Sequence, residues 1–210
     1  MRIFSVLFFL LLFSSQGVAA ENALQEAIRA FDALSSYAVT MRSYGNSEQV
    51  IAYRYQKPGF VRMDFIKPHK GAALVYRPDT GKVKLRPFGI MKPLVLTMKP
   101  TARLVRSPSG HRVDESDLGV LLQNAKELAE RGRLQQLREE ERLGRLLRVF
   151  EVTGEPDVQV GGVHQYLLWM DPSLKLPRIV ESYDRDNQLL EGLILEDLVI
   201  NPDVAGIFQL

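Results

Sequence analysis

The feature that most constrains the fold is a series of short, strand-like segments separated by residues that favour tight turns. Each segment is rich in β-branched and aromatic residues, which predicts an antiparallel meander. The first three are Tyr37 to Ser43, Gln49 to Gln56 and Phe60 to Ile66, with Gly45-Asn46 and Pro58-Gly59 between them.

Apolar and polar side chains alternate in the second and third segments. Because successive side chains of a strand point to opposite faces, the alternation predicts one face against a core and one toward solvent. The core side is predicted to carry Ile51, Tyr53, Tyr55, Val61, Met63 and Phe65, and the solvent side Arg54, Arg62 and Asp64.

A hairpin is predicted next, because Pro78-Asp79-Thr80-Gly81 combines a fixed proline φ with a glycine that accepts positive φ. Its strands are Ala72 to Arg77 and Lys82 to Arg86. Strand composition returns later in the chain, with turns marked by Asp171-Pro172, Leu176-Pro177 and Asp186-Asn187. The later segments are Leu146 to Val152, Gln165 to Met170, Arg178 to Tyr183 and Leu189 to Ile200, whereas Leu134 to Glu141 fits a helix or a strand.

Two longer amphipathic helices are predicted from apolar residues at helical spacing. The first covers residues 22 to 35 with Asn22 as its cap, and the second opens at Asp114 and stops at Gly132. Short helices are expected to start at Pro93 and Pro100, since proline suits the first turn. The helical stripes are Leu24, Ala27, Ile28, Phe31 and Leu34 in the first helix, and Leu118, Leu121, Leu122, Ala125, Leu128 and Ala129 in the second.

These elements predict an α+β protein. The count is about eight to eleven strands with helices at the start and in the middle, and not alternating βαβ units. An antiparallel sheet of this size tends to curl, so a strongly curved sheet with helices covering its concave face is expected.

The N-terminus has the pattern of a secretory signal peptide. Arg2 precedes an apolar run from Ile3 to Phe13, and Val18-Ala19-Ala20 provides small residues for cleavage after Ala20. The run is about eleven residues long, shorter than the roughly twenty that span a bilayer. The mature chain is therefore predicted to be residues 21 to 210, a single soluble domain in the periplasm.

Composition excludes several classes of function. The chain contains no Cys, so disulfides, thiol catalysis and thiolate metal sites are excluded. Loss of Arg2 leaves 26 basic against 25 acidic residues, a net charge of +1, which is too small to drive nucleic-acid binding.

The chain resembles the LolA-like superfamily of periplasmic lipoprotein carriers, which includes LolB and RseB. The likeness covers the whole mature chain and concerns scaffold residues. They are the helix Ala27 to Leu34 followed by Tyr37, the strand-turn-strand Tyr53 to Arg62 (YRYQKPGFVR), the hairpin Asp171 to Arg178 (DPSLKLPR), Ser182 to Asn187 (SYDRDN), Glu196 to Pro202 (EDLVINP) and Phe208.

The resemblance implies an unclosed β-barrel covered by helices that holds acyl chains of lipids or lipoproteins. It also implies an inner-membrane donor, an outer-membrane acceptor and transient contact with membrane surfaces, with the carrier acting as a monomer. The segment from Pro87 to Gly110 departs from the well-described carrier and looks like a less characterised branch of the superfamily.

The residues expected to line a hydrophobic cavity are aromatic, Met and Leu side chains of these segments. Methionine is flexible and would suit varied acyl chains, although such residues also commonly fill a core. The set is Tyr53, Tyr55, Met63, Phe65, Tyr76, Met91, Leu94, Leu96, Met98, Leu121, Leu122 and Trp169.

The segment from Lys82 to Arg112 has eight basic residues and no acidic residue. Together with its apolar residues, this composition favours a mouth that touches anionic headgroups. A solvated loop whose apolar residues complete the core is the alternative. The headgroup candidates are Lys92, Lys99, Arg103 and Arg106.

Catalysis and metal binding have little support in the sequence. His69, His111 and His164 are scattered, and neither a zinc-protease spacing nor a nucleophile elbow occurs. We therefore expect no cofactor, no metal and no enzymatic activity. Two alternatives remain open: an envelope sensor that acts through protein contacts, and a hydrolase with an apolar pocket for which Ser107 to His111 would be the region to test.

Overall fold

The computed structural model describes residues 20–45, 47–87, 94–108 and 110–210. The predicted signal peptide, apart from Ala20, lies outside these residues. A helix occupies 20–33 of the described chain (α1), and a second helix covers Leu118–Glu130 (α2). The strands are β1 Ser36–Gly45, β2 Gln49–Gln56, β3 Phe60–Lys67, β4 Ala73–Arg77, β5 Lys82–Arg86, β6 Leu96–Met98, β7 Gly132–Arg142, β8 Arg145–Gly154, β9 Gln165–Met170, β10 Pro177–Tyr183 and β11 Leu189–Ile200.

The strands form one antiparallel sheet in the order β6-β5-β4-β3-β2-β1-β11-β10-β9-β8-β7. β6 and β7 stand at the two ends of this order, so the sheet is not closed into a barrel. The prediction of an α+β protein with an unclosed antiparallel sheet is confirmed. Within the described ranges, no helix has both the length and the hydropathy needed to cross a bilayer.

Two compact units make up the described chain. Unit A comprises residues 32–121 and 189–210, and contains β1 to β6 and β11. Unit B comprises residues 20–31 and 122–188, and contains β7 to β10. The expectation of a single domain over residues 21 to 210 stays a prediction.

Two helix predictions are wrong in detail. Asp114 lies in a 3₁₀ turn, Val113–Glu115, and α2 begins at Leu118 because the Asp117 carboxylate accepts hydrogen bonds from the Gly119 and Val120 amides. Asn22 is not a cap, since the helix already includes residues 20 and 21.

The proline-rich segment also differs from prediction. Pro93 lies outside the described residues, but the short helix expected to follow it is replaced by the strand Leu96–Met98, which pairs with β5. After Pro100 the chain forms only a 3₁₀ turn, Arg103–Val105. The ambiguous segment from Leu134 to Glu141 is a strand, part of β7.

The solvent side of β3 and β4 is covered by the segment that follows β11. Arg62 pairs with Asp64 and donates hydrogen bonds from Nη1 to the backbone oxygens of Ile207, at 2.7 Å, and Gln209, at 2.9 Å. These bonds hold an apolar cluster in place on this side of the sheet. The cluster contains buried Val75, Val204 and Phe208, with Phe60, Ile207 and Leu210 packed against it.

Gly132, at the start of β7, is required by close packing. A Cβ at this position would lie 2.1 Å from the backbone oxygen of Thr153 and 2.6 Å from the Cα of Gly154. Both obstructing atoms belong to the backbone of β8, so a larger residue can be accommodated only by moving the strand.

We therefore expect Gly132→Ala to lower the free energy of unfolding by about 2–4 kcal/mol, measured by urea denaturation. Gly192→Ala is the comparison, because its Cβ would meet the ring of Tyr44, a side chain that can rotate away. Its cost should be roughly 1 kcal/mol. Equal stability of the two variants would contradict the backbone obstruction.

Candidate functional site

Two rows of apolar side chains cross unit A on one face of the sheet. Residues directly opposite one another in paired strands point to the same side. The register places Tyr53, Met63, Leu74, Leu85 and Leu96 in the first row, on β2 to β6. The second row contains Tyr55, Val61, Tyr76, Val83 and Met98.

Exposure rises along the first row toward the edge of the sheet. Tyr53 is 1% exposed and Leu85 is 7% exposed, whereas Leu96 on the edge strand β6 is 36% exposed. In the second row Tyr55, Val61 and Val83 are buried, whereas Tyr76 and Met98 are half-buried. The rows are therefore largely covered by protein from β2 to β5 and become accessible on β6.

The covered end of the rows is a stack of tyrosines. The Tyr37 ring on β1 lies over those of Tyr53 and Tyr55, with centroid separations of 5.7 Å and 5.2 Å. The Tyr37 hydroxyl accepts a hydrogen bond from the Leu118 amide at 3.2 Å, and the Tyr53 hydroxyl lies 3.4 Å from Ser116 Oγ. These contacts hold the chain before α2 on the tyrosine stack.

We call residues 110–118 the cover segment. Val113 and Leu118 are its buried apolar anchors. His111 Nε2 lies 3.9 Å from Glu191 Oε2 on β11, and Arg112 pairs with Asp114 and Glu115. The cover segment is thus attached to unit A by apolar, hydroxyl and charged contacts at several points.

Burial moves ionisation of the phenols in the stack to higher pH, so they are neutral over a wider pH range. Desolvation is the main cause that raises the pKa of Tyr55 to about 12, and it raises the pKa values of Tyr53 and Tyr37 further. Neutral phenols can donate and accept hydrogen bonds, and they are weak nucleophiles. The β2 end of the site therefore offers aromatic rings for contact with apolar groups and neutral hydroxyls for individual hydrogen bonds.

Asp117 is the acidic group beneath the stack. Burial raises the pKa of its carboxyl, although the hydrogen bonds from the Gly119 and Val120 amides act in the opposite direction. Its charge is therefore poorly solvated in the folded chain.

Seven of the cavity candidates are brought together on the face that carries the two rows: Tyr53, Tyr55, Met63, Phe65, Tyr76, Leu96 and Met98. Sequence reasoning missed Leu74, Val83 and Leu85, which complete the rows. The alternation within the predicted β4–β5 hairpin was the signal that could have identified them.

The remaining cavity candidates are placed elsewhere. Leu94 is 38% exposed ahead of β6, and Leu121 is half-buried in α2. Leu122 and Trp169 belong to unit B, and Met91 lies outside the described residues.

Trp169 faces away from α2. A Cβ on Gly154 of β8 would meet Leu128, so the face of β8 that carries even-numbered residues is the one against α2. Trp169 lies opposite Val149 of β8, and therefore shares the other face with the odd-numbered residues. The Trp169 indole donates a hydrogen bond to Glu140 at 3.3 Å. Its buried position is therefore part of the packing on the other side of the sheet.

Three of the four headgroup candidates are exposed in unit A. Lys99 follows β6, and Arg103 and Arg106 lie on the turn beyond it. Arg106 donates a hydrogen bond to the Thr101 backbone oxygen. Lys92 lies outside the described residues. Across the described ranges, no group of three or more His, Cys, Asp or Glu side chains could hold a metal ion.

Comparison with solved structures finds proteins of similar fold that match most of the chain. An uncharacterized conserved protein from Thermus thermophilus has a TM-score of 0.56 and 11% identity, with 91% of this chain and 94% of that chain covered. A putative outer membrane lipoprotein-sorting protein domain from Vibrio parahaemolyticus has a TM-score of 0.50 and 16% identity, with 92% and 97% covered.

A third similar structure is the Pseudomonas aeruginosa MucA/MucB complex, with a TM-score of 0.54 and 21% identity. It covers 91% of this chain and 61% of the matched chain, so this chain spans about three fifths of that protein. No family model matches the sequence, and no curated protein matches it significantly. At these identities the likeness shows the shared fold.

The raised pKa of Asp117 predicts a specific pH dependence of stability. The folded chain binds this proton more tightly than the unfolded chain, so the contribution to stability is fully present below the ordinary pKa of 3.8. This contribution to stability is lost as the pH rises through the raised pKa of Asp117 in the folded chain. Asp117→Asn keeps a capping side chain without the charge and should lack this loss. Denaturation at a series of pH values tests this, and parallel curves for the two proteins would contradict it.

Proposed function

We propose, on the premise that the chain has the LolA-like fold its sequence predicts, that it binds acyl chains of lipids or lipoproteins on the apolar rows of unit A. In this role it is a periplasmic carrier that takes its ligand from an inner-membrane donor and passes it to an outer-membrane acceptor.

The observation that carries the proposal is that the two rows continue from β2 to β6 without a charged residue. Strands of a sheet lie about 4.8 Å apart, so the four steps from Tyr53 to Leu96 span roughly 19 Å. One leaflet of a bilayer has a hydrocarbon depth of roughly 15 Å. The row is thus long enough to accommodate an acyl chain along its length.

The physical need for such a surface follows from the cost of exposing hydrocarbon to water. Each CH₂ group transferred from water to an apolar surface gains about 0.8 kcal/mol. A chain of ordinary lipid length therefore crosses an aqueous compartment only when a protein shields it. Methionines at positions 63 and 98 add side chains that adapt to different ligand shapes.

Loading requires movement of the residues that cover the rows from β2 to β5, where Leu74, Val83 and Leu85 are buried. Tyr53 and Tyr55 are 1% and 4% exposed, which leaves no space for a ligand atom against them while the cover segment is in place. Leu96 and Met98 are already accessible at the β6 end. We infer that an acyl chain enters at β6 and displaces the cover segment as it advances along the rows.

Native mass spectrometry tests whether a ligand is bound. The mature chain, residues 21 to 210, is purified from a bacterial envelope fraction without detergent. We expect adduct masses that resolve into lipids or acylated peptides after extraction. A clean apo mass, with no uptake of added fatty acid or phospholipid, would overturn the proposal.

A substitution at the accessible end of the first row tests the position of the ligand. Leu96→Gln should weaken binding of a soluble fluorescent fatty acid about tenfold, because a polar amide replaces apolar contact area. Thr97→Gln is the matched control, since Thr97 is an exposed neighbour that points to the other face of β6. Equal affinities of the two variants would exclude the first row as the binding surface.

A second candidate function is an envelope sensor that uses the same surface and reports through protein contacts. It is favoured by the likeness to MucB, which was solved in complex with MucA. A carrier transfers its ligand to acceptor vesicles, whereas a sensor binds a regulatory protein with an affinity that changes when ligand is bound. The hydrolase alternative requires turnover of an ester substrate by the purified chain.

A further inference from the structure

The edge of unit A formed by β5, β6 and the turn after them carries basic side chains without acidic neighbours in sequence. Residues 82 to 112 contain no Asp or Glu. Within the described part of this segment, Lys82, Lys84, Lys99 and Arg103 form no ion pair. Arg112 differs, because Asp114 and Glu115 neutralise it. We call the four unpaired residues the basic edge.

Pairing of β5 with β6 brings these charges close together. Val83 lies opposite Met98 and Lys84 lies opposite Thr97, so Lys82 and Lys99 occupy the same end of the two-strand ladder. All four side chains of the basic edge belong to exposed residues. Cations placed together in this way repel one another unless an anionic partner is present.

The turn that follows β6 presents a leucine beside these charges. The Ala102 amide donates to the Lys99 backbone oxygen at 3.0 Å, and the Val105 amide donates to Ala102 at 3.1 Å. Val105 anchors this compact turn by burial, whereas Leu104 is 64% exposed. An exposed leucine next to exposed cations matches the composition of surfaces that bind at the membrane interface.

We propose that the basic edge docks onto a membrane surface rich in anionic phospholipid, with Leu104 inserted among the headgroups. Charge complementarity selects this occupant: the cations neutralise headgroup phosphates while the leucine enters the apolar boundary. This inference goes beyond the acyl-binding proposal and does not depend on it, since the docking residues lie outside the two rows.

Cosedimentation of the mature chain with vesicles tests the docking. Mixed phosphatidylcholine and phosphatidylglycerol vesicles should bind the chain, pure phosphatidylcholine vesicles should bind it weakly, and added salt should reduce binding. Each basic residue near an anionic surface strengthens partitioning about fivefold. The combined variant Lys82→Glu, Lys84→Glu, Lys99→Glu and Arg103→Glu should therefore lower the partition coefficient by more than about 100-fold.

A second charge-reversal variant controls for net charge. Arg29→Glu, Arg131→Glu, Arg148→Glu and Arg185→Glu change four exposed arginines of unit B and alter the net charge by the same amount. This variant should bind much more strongly than the basic-edge variant. Equal losses would show that overall charge drives the attraction, and would overturn the proposal.

Insertion of Leu104 is tested by two single substitutions, one at Leu104 and one at an exposed leucine of unit B. Leu104→Asn should reduce binding to the mixed vesicles severalfold, whereas Leu146→Asn, at a leucine that is 56% exposed in unit B, should not. Both leucines are exposed, so both variants are expected to fold, and circular dichroism checks this.

Absence of wild-type binding to mixed vesicles at low salt would overturn membrane docking and favour an acidic protein as the occupant. Loss of fatty-acid binding, measured without vesicles, reports on the acyl-binding proposal alone.

Discussion

The register of β2 to β6 is the constraint on which unit A depends. Every second residue of these strands is apolar, and pairing aligns these residues into rows across the sheet. A slip of one residue in any pair would turn that strand's apolar side chains to the opposite face. The cover segment then has a single surface to bind, because Tyr37 and Tyr53 present their hydroxyls only from the face of the rows.

Local patterns were sufficient to predict most of the strands. β2, β9 and β11 have the predicted bounds, because alternation and turn residues define them within the segment itself. β6 was missed because a strand of three residues between prolines has no periodicity of its own and is stabilised by pairing with β5. The start of α2 was misplaced because Asp114 and Asp117 are equally plausible caps in sequence, and the amides they reach are known only from the structure.

The candidate site was harder to predict than the fold, because a lining residue and a core residue have the same composition. Tyr53, Met63 and Leu96 were identified by residue type, and the register shows that they share one row. Trp169 has the same chemical character but faces away from α2, a distinction that depends on which face of β8 the helix covers. Exposure along a row is likewise a tertiary property, so the accessible end at β6 could not be read from the sequence.

The segment that follows β11 shields apolar residues of the sheet in unit A. Val204 and Phe208 shield Val75 on the side of the sheet that faces away from the rows, and Arg62 holds them through backbone oxygens. Because Arg62 binds backbone oxygens, the attachment does not depend on the side chains at the two residues it contacts. It does depend on the apolar side chains of the cluster. Displacing the residues that follow β11 would expose a hydrophobic patch on β3 and β4. We therefore expect a fusion or truncation in this segment to cause self-association.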